Sequence, residues 1–504
     1  MARYRHVDLS PRLLPVDLES QLVPGTFAHA VHHLVDDLEL SAFDAHYRND
    51  DNGAPAHSPT MLLKVVLLAY SQGLVSSRRI EQACRDNVLF ISISGDAKPH
   101  FTTIADFISR SRDAITSVFG QVLSVLDGEG LIGRTMFAID GVKLPSNASK
   151  HRSGTRAQFL AQAQKMETVA RAMLDRHQLN DAGASESNTE VQALERVERM
   201  KHDAAQIRQW LNDNPNDRKG TRGTIRKSNR TDNESAKMAT DKGVIQGYCG
   251  VAVVDSSHQV IIEASAHGTG AEQELLLPII DACAAQRTLD TLITADAGYH
   301  SETNLAGLAE RGIDALIADN QMRQRDERFA DRAKHTQKPN ALHDKSKQPK
   351  RPKPLGNEDF LIAEDMSHAV CPAGKTLPRN GKEYILGDYT AIKFKAAPAT
   401  CKSCALRPQC LRKPETTPSR QVAVLTRISK DTHTQRMRER IDSPQGRAQY
   451  GERFATVEPV FGNVRYNKRL DRFTLRGRTK VDGQWKLFAL VHNIEKLMNY
   501  RKAA

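Results

Sequence analysis

Apolar positions follow two rhythms along the chain. Over residues 1–134 they recur at helical spacing. Met61-Leu-Leu-Lys-Val-Val-Leu-Leu-Ala-Tyr70 predicts a buried helix ending near Gly73. Ser76 and Ser77 then offer capping hydroxyls to a second helix with Ile80, Ala83 and Cys84 on one face. Thr135–Asp140 is a short β-rich run closed by Asp-Gly and reads as a strand entering a turn. Helical composition returns over 153–213 with a break at 181–187, predicting a protruding antiparallel pair, and a basic loop occupies 218–230. Strand pattern resumes at 244–254 and 259–264 around Asp255-Ser-Ser-His258; a helix (274–285), a strand (291–296), a helix (301–311) and a strand (314–318) follow. This alternation predicts a mixed sheet with helices on its faces. Beyond it come a basic, aromatic-poor stretch at 321–357 that reads as a flexible linker, a cysteine-bearing segment to 412, and helices near 431–441, 445–468 and 481–501.

Composition sharpens this picture. At roughly 100–200 residues per domain, 504 residues suggest two to four domains. Apolar residues at 39% and charged residues at 26% exclude wholesale disorder. The net charge of +12 is uneven: residues 401–504 carry 23 Lys and Arg against 9 Asp and Glu, a net of +14, and the rest carries −2. A basic tail on a near-neutral body points to a polyanion, most commonly nucleic acid, with a merely solvated surface as the alternative. No apolar run is long enough to cross a bilayer, and the first residues lead into no signal core, so the expectation is a soluble cytoplasmic protein. Seven cysteines make no disulfide framework, and Cys84, Cys249 and Cys283 read as core residues.

Candidate chemistry falls at the strand ends. Asp140 and Asp296 each close a predicted strand and are followed within two residues by Gly141 and Gly298. Open sheets with helical crossovers bind ligands beyond strand ends. Carboxylates there suit hard cations such as Mg²⁺ or Mn²⁺. Two such ions about 3.5–4 Å apart clamp both the attacking and the leaving oxygen of a phosphodiester. Glu458 is the third acid. Tyr450, Arg453, Val457/Glu458, Phe461 and Arg465 recur at helical spacing, and arginines on that face suit phosphates. Pro459 predicts that Glu458 sits at a helix start or kink. Cys371, Cys401, Cys404 and Cys410 could form a four-thiolate zinc site around the Cys-x-x-Cys pair, or remain reduced thiols in a small β subdomain. Asp232 reads as a structural cap or as a group positioning the site. Arg78 and Arg79 open the second helix of a possible helix-turn-helix.

The order of these motifs carries a resemblance. Ser58-Pro-Thr-Met-Leu-Leu-Lys-Val with Ser76-Ser-Arg-Arg-Ile-Glu81 resembles the helical domain that opens many bacterial insertion-sequence transposases. Phe137-Ala-Ile-Asp140-Gly, Thr294-Ala-Asp296-Ala-Gly-Tyr299 and Val457-Glu458-Pro-Val-Phe-Gly462 resemble the three acidic motifs of DDE transposases. The tail, Arg472-Phe-Thr-Leu-Arg-Gly477 with Leu487-Phe-Ala-Leu-Val-His-Asn493, does likewise, so the likeness runs from about residue 20 to 500 in the expected order. The family's Tyr-Arg-Glu-Lys signature reads here as Tyr450, Arg453, Glu458 and Arg465, with one extra residue between Arg and Glu and arginine in place of lysine.

The resemblance implies an α/β chain with a ribonuclease-H-like mixed-sheet core. Its expected parts are a helical DNA-binding domain (1–134), the first part of the core (135–320) with the helical insertion 153–213, the linker 321–357, a cysteine-bearing β insertion (358–412) and a C-terminal helical part (431–504). It further implies two Mg²⁺ (or Mn²⁺) ions held by Asp140, Asp296 and Glu458. Metal-activated water would cut phosphodiesters, and the freed 3′-hydroxyl would join target DNA. Implied partners are double-stranded DNA, as terminal inverted repeats and target, and a second copy of the chain, in the bacterial cytoplasm at the nucleoid. DNA-facing cations would be Arg453, Arg465, Lys468, Arg469, Arg476 and Arg478, with Arg78 and Arg79. A metal-dependent nuclease without strand transfer and an inactive DNA-binding repressor are the alternative readings.

Overall fold

The computed structural model describes residues 17–47, 55–180, 188–220, 223–240, 243–327, 355–386, 389–428 and 432–503. The break expected at 181–187 and most of the expected linker lie outside the described residues. The chain divides into two compact units, Met1–Asn320 with Ser443–Ala504, and Gln321–Asp442.

The first unit is built on a six-stranded mixed sheet: β1 (Met136–Pro145), β2 (Ala236–Thr240), β3 (Gly243–Asp255), β4 (Ile261–His267), β5 (Leu292–Ala295) and β6 (Ala315–Ile317). Its order is β6-β5-β1-β3-β2, with β4 also on β3. β5 and β6 lie parallel to their neighbours, and β3 runs antiparallel to β1, β2 and β4. Every residue of β5 and β6 is buried, as expected of short parallel strands covered on both faces. This curled α/β arrangement is ribonuclease-H-like.

Several elements depart from the sequence reading. β1 does not turn at Asp140-Gly141 but continues to Pro145, paired with β3. The backbone groups beyond Gly141 find their partners there, and Gly247 leaves the room: a Cβ on it would lie 2.0 Å from the Leu144 carbonyl oxygen. β2 escaped the pattern because Met238 is its only large apolar residue. Within the basic loop, Arg218–Lys219 pairs with Ile225–Arg226, and Ser228–Asn229 pairs with Ser153–Gly154. The helix expected over 274–285 contracts to Leu276–Ala282, preceded by a 3-10 turn at Glu272–Glu274. Ser76 occupies the N-cap of Ser77–Asp86 without a side-chain bond to it. The helical pair forms as expected, Arg156–Asn180 against Asn188–Asp213, over a seam of Phe159, Ala163, Ala204 and Ile207.

Helix Arg478–Ala503 joins the sheet to the N-terminal helices. It lies on β4 and, on its other side, on Pro59–Ser71, Phe101–Arg110 and Arg112–Gly128. Trp485, fully buried, donates its indole N–H to the Val251 carbonyl at 2.8 Å, and Gly250 leaves space for the ring. Tyr70 stacks on Phe488 with centroids 4.6 Å apart. Buried Asp482 accepts from Arg112 Nε (3.0 Å) and from the Ala266 N–H (2.8 Å), and the Asn493 side chain brackets the backbone of Ile261. Burying one such large apolar side chain contributes about 1.5–3 kcal/mol. No helix among the described residues is long and apolar enough to cross a membrane.

The second unit holds two three-stranded antiparallel sheets, Leu361–Ile362 with His368–Val370 and Thr376–Pro378, and Tyr384–Leu386 with Tyr389–Lys395 and Gln421–Ile428. They share a core of Phe360, Ala369, Leu377, Ile392, Phe394 and Val422. Helix His433–Asp442 belongs to this unit, tied in by Arg325 Nε at 2.6 Å from Asp442 Oδ2.

Candidate active site

Register places the first two acids together. Ile139 of β1 lies opposite Ala295 of β5, so Asp140 and Asp296 are the next residues on adjacent parallel strands, which run about 4.8 Å apart. β5 ends there while β1 runs on, leaving its edge open beside Asp140. Each carboxylate bends back over the glycine that follows: Asp140 Oδ1 accepts from the Gly141 N–H and Asp296 Oδ1 from the Gly298 N–H, both at 2.8 Å.

Helix Pro444–Gly462 pins both strands. Tyr450 donates its hydroxyl to the Ala295 carbonyl (3.3 Å). Arg453, 3% exposed, places Nη2 at 2.9 Å from Asp140 Oδ2 and donates to the Ile139 carbonyl at 3.3 Å. The buried stripe of this helix is Tyr450, Arg453, Val457, Val460 and Phe461. Glu458 falls just off it and is exposed, about 7.5 Å along the axis from Arg453. Pro459 does not end the helix, so Glu458 sits inside it and not at a start. A proline interior to a helix frees the carbonyl four residues back; here that is Ala455, and Gln259 Nε2 donates to it at 2.9 Å.

A further acid, Glu272, stands at the same place, and the sequence reading missed it. It lies on the 3-10 turn after β4, with Oε1 3.0 Å from Lys143 Nζ. A Cβ built on Gly298 would meet Glu272 Oε2 at 2.3 Å and Asp296 Oδ1 at 2.9 Å; one on Gly141 would lie 3.6 Å from Glu272 Oε1. Both glycines therefore keep room among the carboxylates. The one sequence signal was an acid following the loop Gly268-Thr-Gly270 at a strand end.

The centre is short of positive charge. Burial pushes the Asp140 carboxyl up to about 6; Arg453 draws it down, while Asp296 and Glu272 push it further up. Burial also raises the Cys249 thiol to about 12 and the Tyr299 phenol well above its usual value, so both stay neutral and form a wall. The Tyr299 hydroxyl is buried with no hydrogen-bond partner among the described residues. Asp232 is a structural anchor: it accepts from Tyr248 Oη at 2.8 and 2.9 Å and from the Gly477 N–H at 3.2 Å.

The cations expected to face DNA separate into two sets. Arg453 is buried on Asp140, and Lys468 is buried with its ammonium on Glu495, so neither projects to solvent. Arg469, Arg476, Arg478, Arg78 and Arg79 are exposed, and Arg465 is half-buried beside Tyr466. In the second unit the four cysteines line one cavity of about 30 Å³. Burial, and then the charge of Cys401, Cys371 and Cys404, push the Cys410 thiol up, while Arg420 opposes them. Among the described residues no group of three or more His, Cys, Asp or Glu side chains is arranged to hold a metal ion.

A family model described as the transposase DDE domain matches residues 370–498, and one described as a transposase domain (DUF772) matches residues 16–110. The two matches support an insertion-sequence DDE transposase. Glu458 and its helix lie within the first match; Asp140, Glu272 and Asp296 lie between the two. Transposases act on DNA, as DNA-cutting and joining enzymes, and DDE domains generally use divalent metal ions. No curated protein matches the chain.

Proposed function

We propose that Asp140, Asp296 and Glu458 form the catalytic centre that cuts the terminal inverted repeats of the element and joins the freed 3′-hydroxyls to target DNA. The observation that carries this reading is the register of β1 and β5, which sets Asp140 beside Asp296 with a single buried guanidinium for company. Oxygen donors suit a divalent cation, Mg²⁺ or Mn²⁺, and burial together with Asp296 and Glu272 raises the Asp140 carboxyl to about 6 where a cation would relieve it. Bound there, two such ions supply activation of the attacking oxygen and neutralise charge at the phosphodiester. The chain's own residues do the rest: Arg453 fixes Asp140 and Tyr450 fixes the end of β5, and Glu458, exposed on the helix that carries both, would be the third ligand.

The DNA ends would lie against the exposed cations Arg465, Arg469, Arg476 and Arg478, with Arg78 and Arg79 on the N-terminal helices. Two ends held at once favour a homodimer. Cys371, Cys401, Cys404 and Cys410, which line one cavity, are the proposed ligands of a structural Zn²⁺, although their side chains as they stand are not arranged around an ion. The test is an oligonucleotide carrying the element's own end, incubated with the full chain and Mg²⁺ or Mn²⁺. Cutting followed by joining is expected, with Asp296→Asn and Glu458→Gln each abolishing both and leaving DNA binding intact. Full activity in either variant refutes that residue's role.

A further inference from the structure

Beside the carboxylate centre lies an open cleft of about 560 Å³ lined by five cations, Lys143, Arg218, Arg226, Lys227 and Lys237, and by no acid. Three of them are fixed from behind. Lys143 reaches Glu272 at 3.0 Å, and Arg226 holds Glu274 at 2.9 Å and Thr269 Oγ1 at 3.3 Å. Arg218 has no carboxylate in contact: its guanidinium donates to the carbonyls of Asn233 and Ser235 (2.7 Å each) and Gly268 (3.3 Å). The two remaining lysines, Lys227 after the hairpin and Lys237 on β2, are exposed and make no ion pair among the described residues. Two acids thus stand behind five cations. Burial and the nearby charge of Arg226 push the Arg218 pKa down, and the more distant Asp232 and Glu234 only partly offset them.

The shape narrows the ligand. An open groove with its cations on β1, β2 and the Arg218–Arg226 hairpin is larger than one phosphate requires, and cations spaced along a groove suit a repeating anion. Lys143 belongs both to this cleft and, through Glu272, to the Asp140–Asp296 pair, so an occupant of the groove continues directly into the acidic centre. We propose that the groove holds the sugar–phosphate backbone of the DNA strand that runs into the carboxylates. The inference rests on the reading of that centre as the cutting site, and it adds the path of the strand.

The test measures binding of a duplex bearing the element's end, in EDTA, by fluorescence anisotropy over a salt series. Binding in EDTA needs no cutting, so an inactive wild type would count against the catalytic reading and leave this measurement intact. Each phosphate contact contributes about 0.9 to the slope of log K against log salt. The Lys227→Ala/Lys237→Ala variant should lower that slope by about 1–2, and Lys237→Glu should weaken binding further, with the thermal unfolding of both unchanged from wild type. An unchanged slope in the double variant overturns the proposal, as does a wild type that binds no duplex. Inorganic phosphate, or a free nucleotide at matched ionic strength, is the second arm. If either displaces the duplex at low millimolar concentration and the double variant removes that sensitivity without changing the slope, the cleft is a small-anion site and the proposal fails.

Discussion

Replacing Asp140 with Asn should stabilise the metal-free protein, although it removes the carboxylate of a visible ion pair. The carboxyl is raised from an ordinary 3.8 to about 6, because burial and the charges of Asp296 and Glu272 outweigh Arg453. Between those values the folded state binds more protons than the unfolded one. Stability therefore falls as pH rises through this window, and the full cost is present at pH 7. About 2.2 units at about 1.4 kcal/mol each give roughly 3 kcal/mol as the upper end. Asparagine keeps an oxygen for Arg453 Nη2 and carries no charge. At roughly 2 °C or less per kcal/mol for a unit of this size, the gain is a rise of at most about 6 °C in melting temperature. Thermal scans in EDTA at pH 7 and pH 4 measure it: the variant should melt above wild type at pH 7, and the gap should close at pH 4, where the wild-type carboxyl carries a proton. Mg²⁺ should raise the wild-type melting temperature more than that of the variant. A variant that melts below wild type at pH 7 in EDTA would show that Arg453 dominates the carboxylate's surroundings, and the argument for an electron-rich centre awaiting a cation would fall.

Two further outcomes follow from the packing. Gln259→Leu should cost about 1 kcal/mol by leaving the Ala455 carbonyl without its donor. In a Pro459→Ala background, where residue 459 regains an N–H for that carbonyl, the cost should fall to the share owed to the lost Lys496 Nζ–Gln259 Oε1 bond (2.8 Å); equal costs in both backgrounds, measured by denaturant unfolding, refute the pairing. Burial lowers His492 to about 4; its Nε2 lies 2.8 Å from the Gln259 carbonyl and its Nδ1 3.2 Å from Asn463 Nδ2, contacts that suit a neutral ring. The unfolded chain takes up the proton first, so stability drains away as pH falls from 6.5 towards 4, by up to about 3 kcal/mol. His492→Gln should flatten the melting temperature over that interval relative to wild type; His267, also lowered to about 4, contributes with the same sign and the raised Asp140 carboxyl with the opposite one.

The two aspartates were readable because each closes a β-rich run, and period-2 patterning survives in a single sequence. Their closeness was not: that is the register of β1 on β5, fixed by neighbours in the sheet. The turn expected at Asp140-Gly141 failed because pairing with β3 outweighs local turn chemistry when partners are available. Glu272 gave almost no signal, lying in a polar loop without periodicity and distant along the chain from the acids it joins. Pro459 misled for a related reason. Its rule describes an isolated backbone, and a glutamine from a distant hairpin supplies the missing donor. Lys468 read as a surface cation because its partner, Glu495, lies on another helix.

Helix Arg478–Ala503 lies between the sheet and the N-terminal helices, yet follows both in the chain. During translation, neither of those surfaces receives its cover until the ribosome has released residues near Asn493. The nascent enzyme therefore completes its core only after Asp140, Asp296 and Glu458 have all been made. A chain that stops before Arg478 leaves the apolar faces of both the sheet and the N-terminal helices uncovered.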